Sequence, residues 1–266
     1  MMSSLAYEIR MAFTKLITLA LCLFILSTIC AADLAPAYFD SLGSKLYNYR
    51  NYTEALDYFN KSIDQDPSYV NAWVHKGDTQ KVLRDYNASI ESYNQALNAN
   101  NKTITAWSGL IDAYSAKKDY ANASIAAAGK TKVNPKDKGS WYKEGQLLQL
   151  QGRYPESIAK FDSALALDPN YMDALYGKAI TYISLGNDSQ AMNYLNQELS
   201  QDPKNKYAYN AEGLDLMHQG RYSEALSDYN EALKIDPKWS QALNNKMHAL
   251  LALGKGEEAM KIFVNL

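Results

Sequence analysis

The chain has 266 residues, 47% of them hydrophobic and 21% charged, with a formal charge of -2. That balance excludes a disordered chain and leaves ample apolar mass for a large core. Both signs of charge are interspersed, so no basic stripe exists to neutralise the phosphates of a nucleic acid.

At the N-terminus, Arg10 and Lys15 precede an uncharged run over residues 16–32, which closes at Asp33. This is the layout of an export signal, with a charged start, an apolar centre and small residues before an acidic one. The apolar centre, residues 16–29, falls short of the roughly 20 apolar residues that a spanning helix needs. Residues 1–32 therefore read as a signal peptide cleaved after Ala32, with an uncleaved membrane anchor as the alternative. Met11 opens a tidier signal than Met1. Either way the expected product is extracytoplasmic, secreted or anchored. Both cysteines, Cys22 and Cys30, fall in this segment, which leaves the remainder without disulfides or cysteine metal ligands.

Six Asn-x-Ser/Thr sequons follow, at Asn51, Asn60, Asn87, Asn101, Asn122 and Asn187. They read either as glycosylation acceptors on an exported chain or as residues that suit helix caps and turns.

Beyond the leader the sequence repeats. Pro67, Pro135, Pro169, Pro203 and Pro237 lie on one 34-residue grid, with Asn101 in the vacant slot. Taking them as position 32 gives units 36–69, 70–103, 104–137, 138–171, 172–205, 206–239 and a shortened 240–266. Position 20 is then small throughout: Ala55, Ser89, Ala123, Ser157, Ala191, Ala225 and Ala259. Position 24 is large in Phe59, Tyr93, Phe161, Leu195, Tyr229 and Phe263, with Ala127 the exception. Glycine stands at position 8 in Gly43, Gly77, Gly145 and Gly213, and a large apolar residue stands at position 4 of every unit, among them Trp73, Trp107 and Trp141.

Small residues at two fixed columns and large ones at two others predict a helical hairpin per unit: small side chains let two helices approach, and large ones fill what remains. Taken in chain order, each unit is a helix A, a tight turn and a helix B. The turns read Gln151-Gly152-Arg153, Leu185-Gly186-Asn187 and Gln219-Gly220-Arg221, glycine accepting the left-handed helix stop. The Asp-Pro steps end helix B, because a residue before proline is pushed out of the helical region.

On these columns the chain, from residue 36 to its end, resembles the tetratricopeptide repeat family, through Phe39-Leu42-Gly43, Trp73-Gly77, Trp141-Gly145 and Tyr209-Gly213 with Ala225, Tyr229, Ala232 and Pro237. The third unit departs from the family pattern, with Ile111, Ala127 and Lys130, and its B helix is expected to pack most loosely. The resemblance implies an all-α fold, a right-handed α-solenoid of seven units with A helices lining a concave face. It also implies protein or peptide partners. The final unit has no polar capping helix after Phe263, so an apolar end face is expected there, open to a second copy.

No catalytic constellation is present: no phosphate-binding glycine loop, His-Glu-x-x-His or Gly-x-Ser-x-Gly. His218 and His248 are the one histidine pair that the family register would bring near each other, without a third ligand. No enzyme activity, metal or cofactor is expected. The family's two-carboxylate clamp for acidic tails is not reproduced either, since its columns hold Asp40, Asp78, Asp112, Thr105, Gly109 and Lys143. The expected partner face lies in units 4 to 6, where Tyr142, Tyr176, Ile180, Ile183, Tyr207, Leu214 and Met217 would form an apolar strip. Internal packing of that strip is the competing reading. The expected function is a non-catalytic protein-interaction scaffold outside the cytoplasm; the alternative is an assembly protein that self-associates or tethers envelope proteins through its ends.

Overall fold

The computed structural model describes residues 35–264, so the signal or anchor read at residues 1–32 lies outside them. The described residues form fourteen helices and no strand. They fall into two compact units, divided after Ala113. The first contains α1 (Pro36–Asn48), α2 (Tyr52–Gln65), α3 (Val70–Val82), α4 (Tyr86–Ala99) and most of α5 (Ile104–Ala116). The second holds α6 (Tyr120–Val133), α7 (Lys138–Leu150), α8 (Tyr154–Leu167), α9 (Met172–Ser184), α10 (Asp188–Gln201), α11 (Lys206–His218), α12 (Tyr222–Ile235), α13 (Ser240–Ala252) and α14 (Gly256–Val264). Odd helices are the A helices and even ones the B helices of the sequence repeat. Within each unit successive helices pack side by side, α1 on α2 and α2 on α3 in the first, α6 through α14 in series in the second. The fold is an all-α solenoid of helix-turn-helix repeats.

Each A helix ends at position 13 of its repeat, and the chain turns at position 15. Gly152, Gly186, Gly220 and Gly254 take φ between 67° and 75° there. Arg50, Arg84 and Lys118 occupy the same column at φ 62°, 64° and 59°, where a side chain is strained. The B helix starts two residues later, with a side-chain cap from Asp85, Asp119 or Asn187 in three cases. It ends at the residue before position 32, extended at φ -146° in Asp66, -148° in Asp168 and -135° in Asp236. The position-4 tryptophans lock this corner: the indoles of Trp73, Trp107 and Trp141 donate to the backbone carbonyls of Pro67, Asn101 and Pro135 at 2.8, 2.9 and 2.9 Å.

The core follows the sequence columns. Position 20 is fully buried in all seven repeats, and its serines donate into the facing A helix, Ser89 to Gly77 O and Ser157 to Gly145 O, both at 2.8 Å. Position 24 is buried in six, Phe59, Tyr93, Ala127, Phe161, Leu195 and Tyr229, whereas Phe263 is 65% exposed. Phe59 and Tyr229 each meet one glycine, Gly43 and Gly213, and the Tyr93 and Phe161 rings are clasped by glycines on both sides. A Cβ on Gly145 or Gly177 would come within 2.7 or 2.6 Å of the Phe161 ring, and one on Gly77 or Gly109 within 2.7 or 2.2 Å of the Tyr93 ring. Where the ring is replaced by Leu195, the equivalent small residues are Ala179 and Ala211. Among the described residues, no helix is long and apolar enough to cross a membrane.

Candidate functional site

The A helices of units 4 to 6 all lie in the second compact unit, and their N-terminal turns carry a band of aromatic rings. On α7, Tyr142 stands 5.8 Å from Phe161 and 5.8 Å from Tyr171, edge-on to the latter. On α9, Tyr176 lies 6.4 Å from Tyr207 of α11, which in turn meets Trp239 edge-on at 5.1 Å. Burial pushes the Tyr176 phenol up to about 12, with the Glu198 carboxylate adding to the shift, so the ring is a neutral donor at physiological pH. Tyr207 is 52% exposed. Lys206 lies 5.2 Å above its ring and 4.9 Å above Trp239, while also pairing with Asp236.

Two members of this band, Tyr171 and Trp239, were not singled out by the sequence. Both occupy position 34, just before helix A, and the recurrence of aromatic residues there in Tyr69, Tyr171 and Trp239 was the available signal.

The remaining residues of the expected strip are placed differently. Ile180 is partly buried against the Ala179–Ile183–Leu195 cluster, and Met217 against that of Leu216, Ala225 and Tyr229. Leu214 is half-buried. Ile183 departs from expectation: at 5% exposure it is a core residue, packed with Ala191 and Leu195. It lies near the C-terminal end of α9, where Ala191 and Leu195 of α10 cover it. The strip is thus an aromatic band at the helix N-termini, grading into core along the helices.

Beside the band lies a buried carboxylate that sequence reasoning missed. Glu198 of α10 is 1% exposed; Oε1 accepts from Asn205 Nδ2 at 3.4 Å and Oε2 has no partner among the described residues. Burial, then the charges of Asp173 and Asp202, push it up to about 8. Its column, position 27, is small in Ser62, Ala96, Ala164 and Ala232, with Lys130 and Leu266 the other departures, so a carboxylate in a mostly small column was the signal.

The sequons divide into two groups. Ser62, Ser89 and Ser124 are buried and donate to backbone carbonyls, which accounts for the hydroxyl in the Asn60, Asn87 and Asn122 sequons by packing. Asn51, Asn101 and Asn187 are exposed next to helix starts. Among the described residues no group of three or more His, Cys, Asp or Glu is placed to hold a metal ion, and both His218 and His248 are exposed.

With the hairpin geometry established, comparison with known proteins is decisive. Tetratricopeptide repeat models match residues 70–103, 148–213 and 206–239, within the same 34-residue register. The chain is a tetratricopeptide repeat protein. Its fold is shared with solved structures of low identity. One is a tetratricopeptide repeat protein from Parabacteroides merdae, at 17% identity and TM-score 0.70 over 86% of this chain and 91% of that one. Another is PilW, a type IV pilus biogenesis factor, at 23% and TM-score 0.62 over 74% and 91%. A third is YrrB, described as having an unusual peptide-binding site, at 19% and TM-score 0.57 over 71% and 97%. No curated protein matches this tetratricopeptide repeat protein.

Proposed function

We propose that this protein is a non-catalytic scaffold, exported from the cytoplasm, that holds a segment of a partner protein on the A-helix face of units 4 to 6. The observation that carries the reading is the half-exposed Tyr207 ring, ranked between Tyr176 and Trp239. Rigid amphipathic rings offer contact area at small entropic cost and are enriched at interfaces. The fold likeness to YrrB, whose own description includes peptide binding, supports the same class of function.

The test is a photo-crosslinking side chain placed at Tyr207, with a control at the exposed Leu167 on helix α8. A discrete adduct from Tyr207 alone is expected in cells that make the protein. Equal labelling from both positions would refute the assignment of the face. Export is checked separately by N-terminal sequencing of the envelope or medium fraction. A start near Asp33 is expected; an intact Met1 or Met11 start in the membrane pellet means an anchor, and recovery in the cytoplasm refutes export.

A second reading, assembly through the last repeat, is favoured by Leu251, Met260, Phe263 and Val264, which are 53%, 60%, 65% and 75% exposed on α13 and α14. Phe263 occupies the column that is buried in every earlier repeat. A concentration-independent monomer in sedimentation would rule out self-association there.

A further inference from the structure

In the first compact unit, a cleft of about 230 Å³ opens between α1 and α3, lined by Ser44, Tyr47, Asn48, Phe59, His75 and Asp78. Its chemistry is set by a fixed histidine. The His75 Nδ1 lies 2.7 Å from Asp40 Oδ1 and 3.4 Å from Ser44 Oγ, and the imidazole packs at 5.6 Å against Phe59. Asp40 is only 6% exposed, so its carboxylate is committed to this contact and holds the ring with the proton on Nδ1. In the neutral ring Nε2 is then an acceptor. Asp78 accepts from the buried Tyr93 phenol at 2.7 Å and keeps 39% of its side chain exposed.

The electrostatic balance of the cleft is negative. Asp78 and Asp112 share one ammonium, Lys81, at 3.5 Å and 3.1 Å, and Asp40 is paired with His75. The remaining polar lining, Ser44 Oγ and the Asn48 carbonyl, can accept, and Tyr47 supplies aromatic surface above the buried Phe59. This is the inventory for a cationic head on an apolar stem.

We propose that this cleft takes a lysine or arginine side chain of a partner, the methylenes lying along the half-buried Tyr47 and the cationic group reaching Asp78, Ser44 Oγ and His75 Nε2. Acidic ligands are excluded by the same charges, which is the reverse of a carboxylate clamp. Protonation of His75 removes the Nε2 acceptor and places a second cation in the cleft. Its partners raise the proton affinity of His75: first the hydrogen bond to Asp40, opposed by burial, then the charges of Asp40 and Asp78. Besides His75 and the Asp78 carboxylate, the titratable group in the lining is the Tyr47 phenol, which burial and Asp78 keep neutral. Proton and basic ligand therefore compete, and binding strengthens as the pH rises through the His75 titration.

The test uses the full chain and blocked short glycine peptides carrying one central Lys, Arg, norleucine or Glu, with binding measured by isothermal titration calorimetry and, in chains that keep His75, also through its imidazole resonances. Lys and Arg peptides are expected to bind saturably, about fivefold or more tighter near pH 8 than near pH 5.5, with norleucine and Glu peptides inert. Asp78→Asn keeps an acceptor for Tyr93 and should weaken Lys binding about tenfold. His75→Gln, which can still donate to Asp40, should leave Lys binding independent of pH. Equal binding of norleucine, binding of the Glu peptide, or unchanged affinity in Asp78→Asn overturns the proposal; so does a pH dependence that survives His75→Gln. The site is separate from the aromatic band of units 4 to 6, so the crosslinking outcome at Tyr207 and this one are read independently.

Discussion

Gly109→Ala tests the clasped-ring account of the core most directly. In an exposed helix interior this change stabilises by about 1 kcal/mol, through helix propensity alone. Here the new Cβ would lie 2.2 Å from Tyr93 Cζ. The ring cannot swing aside, because Tyr93 is fully buried and its hydroxyl is held by Asp78 at 2.7 Å. Overpacking of this kind costs about 1 to 3 kcal/mol, and moving the phenol off a carboxylate about 1.5 to 3 more. The net expectation is a loss of about 1.5 to 5 kcal/mol after the propensity gain. Tyr93→Leu alone leaves a cavity between two glycines and should cost about 2 to 4 kcal/mol. The double variant sets a leucine between Gly77 and an alanine at residue 109, halfway to what the chain already has at Leu195 between Ala179 and Ala211. Its loss should fall short of the sum by about 1 kcal/mol or more. Urea unfolding by circular dichroism, with the slope m unchanged, supplies the four free energies of the cycle. Additive losses, or a single Gly109→Ala variant more stable than the parent, would refute the reasoning.

Arg84→Gly, at φ 64° with no packed side chain, should stabilise by about 0.5 to 1 kcal/mol in thermal or urea unfolding, because the left-handed strain exceeds the glycine entropy cost. Glu198 is neutral in the fold up to about pH 8 and ionised in the unfolded chain above its ordinary carboxylate value, so the fold loses stability as the pH rises between them. Glu198→Gln should therefore change little near pH 4 and raise stability by about 2 to 4 kcal/mol near pH 8.5, as read by melting against pH; an unchanged profile refutes the assignment. Ile183→Ser should cost about 2 to 4 kcal/mol whereas Tyr207→Ser costs under about 1, which separates core from surface within the expected strip. Helix α6 buries only Ala, Ser and Thr side chains, so its amides should exchange fastest among the interior helices of the second unit; protection equal to that of α8 would contradict this.

The columns read from the sequence determined the hairpins, because a 34-residue repeat carries its own evidence: small residues at positions 8 and 20 can only mean close helix approach when large ones recur at 4 and 24. The Asp-Pro steps and turn glycines likewise located the helix ends, since they act on the local backbone alone. The left-handed stop at Arg50, Arg84 and Lys118 was not legible, as nothing in those side chains requires positive φ and the geometry is imposed by the hairpin. The site was half legible. Tyr142 meets Tyr171, and Tyr176 meets Tyr207, whereas Ile183 is core, because the repeat gives a residue's column but not how far the adjoining helix closes over it. The orphaned Oε2 of Glu198 and the His75–Asp40 contact were decided only by tertiary structure. Each depends on distances between side chains many residues apart, such as the 2.7 Å from His75 to Asp40, and these arise from packing of whole helices rather than from any local pattern.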